Sequence, residues 1–128
     1  VEKKILIVDD DRNFVQVLNA RLRASGYDTA FATDAMSALS QARNYPPDLI
    51  LLDLGLPVRE GFRIMERMRN IGSLASIPVI VVTARDASID REQAIQAGAR
   101  AFFHKPPDGE DLLKAVRATL GNGFGEED

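Results

Sequence analysis

The chain has 128 residues, 45% of them apolar and 27% charged, with a formal net charge of −3 and no cysteine. That length fits one domain able to bury its own core, and the missing cysteines exclude a disulfide framework and a thiolate metal site. The mildly acidic balance argues against direct nucleic-acid binding, which runs on an excess of Lys and Arg. No apolar run approaches the roughly 18 residues of a membrane span and no signal peptide is visible, so no membrane partner and a cytoplasmic location are expected.

Short apolar runs alternate with amphipathic stretches along the chain. Ile5-Leu6-Ile7-Val8 is continuous rather than alternating, as in a strand buried on both faces. Phe14, Leu18 and Leu22 follow at helical spacing, and Ser25-Gly26 stops that helix. Tyr27 to Ala32 reads as a second, more polar strand at a sheet edge. Thr33 or Asp34 then caps a helix whose apolar side carries Met36 and Leu39, broken by Tyr45-Pro46-Pro47. Leu49-Ile50-Leu51-Leu52 is the third strand. A loop with Gly55, Pro57 and Gly61 leads into a helix with Phe62, Met65 and Met68 on one face. After Gly72 and Pro78, the β-branched run Val79-Ile80-Val81-Val82 forms the fourth strand. A helix over about Ser88 to Ala97 stops at Gly98. Ala101 to His104 is a short fifth strand, and a last helix follows Pro106-Pro107 with Leu112, Val116 and Leu120 at spacing four. Five strand–helix pairs predict an α/β fold, a doubly wound parallel sheet with helices on both faces. Residues 1–120 form the domain, and the Gly-rich, acidic segment 121–128 is expected to be a flexible tail or the start of a linker.

The chemistry gathers at the strand ends. Asp9, Asp10 and Asp11 follow the first strand, Asp53 the third, Thr83 the fourth and Lys105 the fifth. A parallel sheet brings all of these to one edge, where such folds hold their ligands. Crowded carboxylates repel one another, and a divalent cation relieves that repulsion. An all-oxygen set suits Mg²⁺, and with His104 as the only histidine, zinc and copper are disfavoured. Asp53 can act as the nucleophile of a phosphoryl transfer, with Thr83 and Lys105 bonding the phosphoryl oxygens. Each residue also has a plainer use. Adjacent aspartates before a helix serve as caps, Thr83 could be a capping hydroxyl, and Lys105 a solvated charge. It is the complete set, delivered by four strand ends, that points to phosphoryl chemistry.

Those residues resemble the receiver domain of bacterial two-component response regulators. The resemblance spans about residues 3–120 and rests on Ile-Leu-Ile-Val-Asp-Asp at 5–10, Leu-Leu-Asp-Leu-Gly-Leu-Pro at 51–57, Gly61, Val-Val-Thr-Ala at 81–84 and Phe-Phe-His-Lys-Pro at 102–106. It implies a five-stranded, flavodoxin-like (βα)5 sheet in the order 2-1-3-4-5. It implies phosphorylation of Asp53 by a sensor histidine kinase, a phosphotransfer protein or a small phosphodonor, and a switch rather than an enzyme acting on other substrates. Asp10, Asp53 and the Gly55 carbonyl would ligate Mg²⁺, Asp9 would act mainly through water, and the Lys105–Pro106 peptide bond would be cis. Phe102 stands at the switch aromatic position; with Thr83 it would remodel the face of the fourth helix, fifth strand and fifth helix for an output domain or protein. Gly55 and Arg85 occupy positions that tune phosphoryl lifetime. Arg100 and Asp111 could pair across a homodimer two-fold, and His104 is expected to point away from Lys105 by strand alternation.

Three other readings fit parts of this pattern. A haloacid-dehalogenase-like phosphatase would use the Asp-x-Asp within residues 9–11, but Asn13 stands where that family expects Thr or Val, and Asp108, Glu110 and Asp111 open a helix instead of following a strand. A flavodoxin-like cofactor binder would need a Gly/Ser/Thr-rich phosphate loop where the aspartates stand. A phosphorylation-independent interaction module would make the strand-end set a coincidence.

Overall fold

The computed structural model describes residues 2–56, 60–84 and 87–121, without the side chains of residues 87–89. Five strands and five helices alternate in it: β1 (Lys4–Val8), α1 (Arg12–Ala24), β2 (Asp28–Ala32), α2 (Ala35–Asn44), β3 (Leu49–Leu52), α3 (Glu60–Arg69), β4 (Val79–Thr83), α4 (Ala87–Gln96), β5 (Ala101–His104) and α5 (Gly109–Leu120). The strands form one sheet in the order β2-β1-β3-β4-β5, and every neighbouring pair is parallel. This is the predicted doubly wound sheet.

The continuous apolar runs have a direct cause. Successive side chains of a strand point to opposite faces, and both faces here are covered. Leu6, Val8, Ile50, Leu52, Val79 and Val81 enter one core, under α2, α3 and α4. Their alternates Ile5, Ile7, Leu49, Leu51, Ile80 and Val82 enter a second core, under α1 and α5. Each fully buried aliphatic side chain contributes about 1.5–3 kcal/mol relative to exposure, so a polar residue in these runs would be costly whichever way it faced. β2 has a partner on one side only, and its Phe31 is 57% exposed. That fits the edge position read from its mixed composition.

Local signals set the helix ends. Asp34, not Thr33, caps α2: its carboxylate accepts from the Ser37 N–H at 2.8 Å. Gly26 and Gly98 have φ of 93° and 110° after α1 and α4, a conformation that glycine adopts without strain. Two expectations are corrected. Met36 does not face the core; it is 82% exposed, and α2 packs through Ala38 and Ala42, the small side chains that let the helix approach the sheet. Gly61 lies inside α3 rather than in the preceding loop. A Cβ there would stand 2.6 Å from the Leu54 Cα and 2.9 Å from the Asp53 carbonyl oxygen, so the first turn of α3 lies against the backbone that follows β3. Pro57, Arg85 and the segment 122–128 lie outside the described residues.

No helix among the described residues is long and apolar enough to cross a membrane.

Candidate functional site

Backbone hydrogen bonds carry the ladder one step past the strands and fix where the site residues emerge. Asp9 N–H donates to the Ala32 carbonyl at 3.0 Å, Asp53 N–H to the Val8 carbonyl at 3.0 Å, and Lys105 N–H to the Thr83 carbonyl at 2.8 Å. Three strand-end residues are thereby pinned to a neighbouring strand, and their side chains start from a rigid edge.

The aspartate triplet divides its work. Asp11 caps α1, its carboxylate accepting from the Phe14 N–H at 3.2 Å. Asp9, only 2% exposed, accepts from the Asp11 N–H at 2.8 Å and faces inward, whereas Asp10 is exposed. Asp9, Asp10 and Asp53 each offer a carboxylate oxygen within 4.8 Å of the others. The Lys105 ammonium stands 2.8 Å from the Asp9 carboxylate and 3.4 Å from that of Asp53. Asp53, 6% exposed, is held at both oxygens: Oδ1 accepts from the Gly55 N–H at 2.8 Å and Oδ2 faces Lys105.

Burial pushes the Asp9 carboxyl above its usual range; the Lys105 hydrogen bond and the Asp11 N–H oppose this, and the Asp53 charge adds to it. For Lys105, burial alone would lower the ammonium pKa, but the Asp9 hydrogen bond and the charges of Asp53 and Asp9 outweigh it, and the net direction is up. One ammonium thus stands among three carboxylates in a largely buried corner. The donor set is all oxygen, clustered, under-neutralised and open to water at Asp10, so it fits a hard divalent cation such as Mg²⁺, which keeps several of its waters.

The other sequence-derived residues fall around this corner. Thr83 is fully buried at the end of β4. The Lys105–Pro106 peptide bond is cis. Gly55 is exposed, and a Cβ there would stand 3.1 Å from Asp53 Oδ1, so glycine leaves that side of the carboxylate open. Phe102 is 8% exposed, paired in register with Val81 and packed in the core that includes Ala94 and Ala99. His104 is exposed, opposite Thr83 in the β4–β5 register. Arg100 and Asp111 are both exposed. Asp108 caps α5, accepting from the Glu110 and Asp111 N–H groups at 2.9 and 3.1 Å.

Sequence reasoning missed Phe14 as a site neighbour. Its ring centroid lies 4.5 Å from the Lys105 ammonium. Helical spacing marked Phe14 as a core contact of α1, yet it sits in the first turn, at the edge where the helix leaves the site. With Val17, Leu18, Pro106 and Pro107 it also lines a groove of about 340 Å³ between α1 and the start of α5.

A family model described as the response regulator receiver domain matches residues 5–117. Among curated proteins, the chain is 38% identical over 117 residues to the DNA-binding dual master transcriptional regulator RpaA of Synechocystis, covering 91% of this chain and 48% of that protein. The chain thus spans about half or less of the length of the curated relatives it matches. Among solved structures, a CheY-like receiver domain protein from Methanospirillum hungatei superposes with a TM-score of 0.85 at 30% identity, over 94% of each chain. The receiver domain of the sensor histidine kinase PA1611 from Pseudomonas aeruginosa superposes with a TM-score of 0.84 at 30% identity, over 94% of this chain and 99% of that one, and that structure has a magnesium ion coordinated in its active site cleft. With the fold, the strand order and the family match in agreement, the chain belongs to the response regulator receiver domains, the signalling-switch modules of two-component systems.

Proposed function

We propose that the chain is a phosphoacceptor switch in which Asp53 takes a phosphoryl group from a sensor histidine kinase, a phosphotransfer protein or a small phosphodonor. The observation that carries this reading is the setting of Asp53: a nearly buried carboxylate held at both oxygens, beside a lysine ammonium and two further carboxylates. A carboxylate fixed in this way has lost most of its orientational freedom before any donor arrives. In the transfer, an Asp53 oxygen bonds to phosphorus as the bond from phosphorus to the donor breaks, and the donor leaves with that electron pair. Lys105 balances charge on the phosphoryl oxygens and Thr83 offers its hydroxyl to one of them. Asp10, Asp53 and the Gly55 carbonyl would hold Mg²⁺, with Asp9 acting mainly through water, and the bound ion would supply the remaining positive charge. Gly55 and Arg85 set the lifetime of the acyl phosphate.

The readout in this proposal is a coupled movement of Thr83 and Phe102. They lie on the same β4–β5 ladder, so a shift of Thr83 toward the phosphoryl group changes the space beside the Phe102 ring, which is already buried, and repacks it. The α4–β5–α5 face then changes shape for an output domain or protein, or for a second copy paired through Arg100 and Asp111. Nucleic-acid binding by this domain is not part of the proposal, and its place of work is the cytoplasm. The phosphatase alternative is disfavoured because Asp108 is engaged as a helix cap and Glu110 and Asp111 are exposed on α5.

The test is a titration with Mg²⁺ and beryllofluoride, a mimic of the phosphoryl group, followed by amide NMR. Shift changes at Asp53, Thr83 and Phe102 that need Mg²⁺ and vanish in Asp53→Asn are expected. A spectrum unmoved by both reagents would sink the reading.

A further inference from the structure

We infer that Phe14 is a positioning residue for Lys105. The inference rests on the phosphoacceptor reading above and extends it to a residue with no polar group of its own. The Lys105 ammonium faces Asp9 at 2.8 Å and Asp53 at 3.4 Å, and the Phe14 ring lies 4.5 Å away. The lysine side chain is only 14% exposed, so two carboxylates and a ring make up much of its surroundings. An aromatic face attracts a cation through its quadrupole, more strongly where water is thinned out. It does so without consuming a hydrogen bond, so the ammonium N–H groups stay available to carboxylate and phosphoryl oxygens.

The position of the ring is itself determined. Phe14 is in the first turn of α1, and its N–H is tied to the Asp11 cap at 3.2 Å. The β5 end that carries Lys105 is pinned to β4 through the Thr83 carbonyl. A ring set by one helix start therefore meets an ammonium set by one strand end. When the phosphoryl group arrives, Lys105 must exchange part of its contact with Asp9 and Asp53 for contact with the new oxygens. The ring limits how far the ammonium can swing during that exchange. Phe14 touches neither donor nor nucleophile in this account; it acts through Lys105 alone.

The experiment compares Phe14→Leu, which keeps apolar bulk but removes the ring, with Phe14→Tyr, which keeps the ring, and with Phe14→Met as a second ring-less variant. Three readouts are taken: the rate and half-saturating concentration for phosphorylation by acetyl phosphate with Mg²⁺, the urea midpoint, and the NMR shifts of the Lys105 side-chain methylenes. The expected result is a ring-current shift of the Lys105 methylenes in wild type and Phe14→Tyr that both ring-less variants lack. The maximal rate should fall by about three- to ten-fold in Leu and Met, a size that follows from a partly desolvated cation–π contact, and recover in Tyr, with half-saturation and urea midpoint near wild type. A Lys105 shift insensitive to the ring, or ring-less variants that phosphorylate at the wild-type rate, would overturn the inference. So would rates that follow the urea midpoint rather than the presence of the ring. If wild type takes no phosphoryl group at all, the phosphoacceptor reading fails and the role falls with it; the methylene shift, which needs no phosphorylation, tells that outcome apart from failure of the contact itself.

Discussion

The two edges of the sheet carry the same kinds of residue and use them differently. At the amino-terminal edge, Lys4 donates its backbone N–H to the Asp48 carboxylate at 2.8 Å and its ammonium to the Tyr45 carbonyl at 3.2 Å, and that ammonium lies 5.3 Å from the centroid of the Tyr45 ring. Nearby, Arg23 and Asp28 stand 3.9 Å apart with side chains 57% and 52% exposed. At the carboxyl-terminal edge, a lysine again meets aspartates and an aromatic ring, but Lys105 is 14% exposed and the Asp9 and Asp53 side chains 2% and 8%. Water screens the first set, and each contact there is worth little. In the second set water is thinned out, each charge depends on its neighbours, and one ammonium is shared between carboxylates. Burial, not residue type, separates an ordinary ion pair from a crowded and under-neutralised cluster of carboxylates.

Removing the central cation should break this contrast most severely. Lys105→Met leaves Asp9 and Asp53 facing each other with no cation between them, held only by the Asp11 and Gly55 N–H groups. Urea unfolding without metal is expected to show a loss of about 3 kcal/mol, the scale for breaking a buried pair, and Mg²⁺ should restore part of it. An unchanged midpoint would mean that the corner is wetter than its burial suggests.

Tyr27 sharpens the comparison, because it is a buried titratable group close to the amino-terminal edge. It is 2% exposed, its hydroxyl donates to the Gly121 carbonyl at 2.9 Å, and burial pushes its pKa up against the opposing charge of Arg117. The unfolded chain loses this proton from about pH 10 while the folded chain keeps it. Its contribution is therefore complete below the unfolded pKa and is lost as pH rises through the folded one. Stability measured from pH 8 to 11 should fall less steeply in Tyr27→Phe than in wild type. The raised Lys105 ammonium adds a fall of the same sign in both proteins.

The smallest effect is expected at the exposed pair. Arg23→Ala should change stability by less than about 0.5 kcal/mol, read from urea midpoints at low and high salt. The Arg23 side chain also donates to the Thr29 hydroxyl at 3.0 Å, so a larger loss would show that this exposed corner is more tightly organised than a screened contact.

The sequence carried the site because its strands are buried on both faces. An unbroken apolar run such as Leu49 to Leu52 ends where the chain reaches the sheet edge, so the next residue, Asp53, is located without any knowledge of the helices. Parallel topology then gathers residues from the ends of β1, β3, β4 and β5. What escaped depends on how helices pack. Spacing marked Met36 as a core residue, but α2 lies against the sheet through its small Ala38 and Ala42, and periodicity does not weigh side-chain size. The same rule placed Phe14 in the core of α1 and gave no hint that the start of that helix overhangs Lys105. The division of the aspartate triplet into a cap, a buried member and an exposed one depends on backbone turns that composition does not encode.

The measurement that bears most directly on the account is intact-mass spectrometry after incubation with acetyl phosphate and Mg²⁺, with Asp53→Asn alongside. One Mg²⁺-dependent adduct of about 80 Da, the mass of a single transferred PO₃ group on an aspartate, is expected in wild type and none in the variant. An equal adduct on both proteins would move the acceptor away from Asp53. No adduct on either, together with a spectrum unmoved by beryllofluoride, would contradict the proposed chemistry and leave a receiver fold that signals by contact alone.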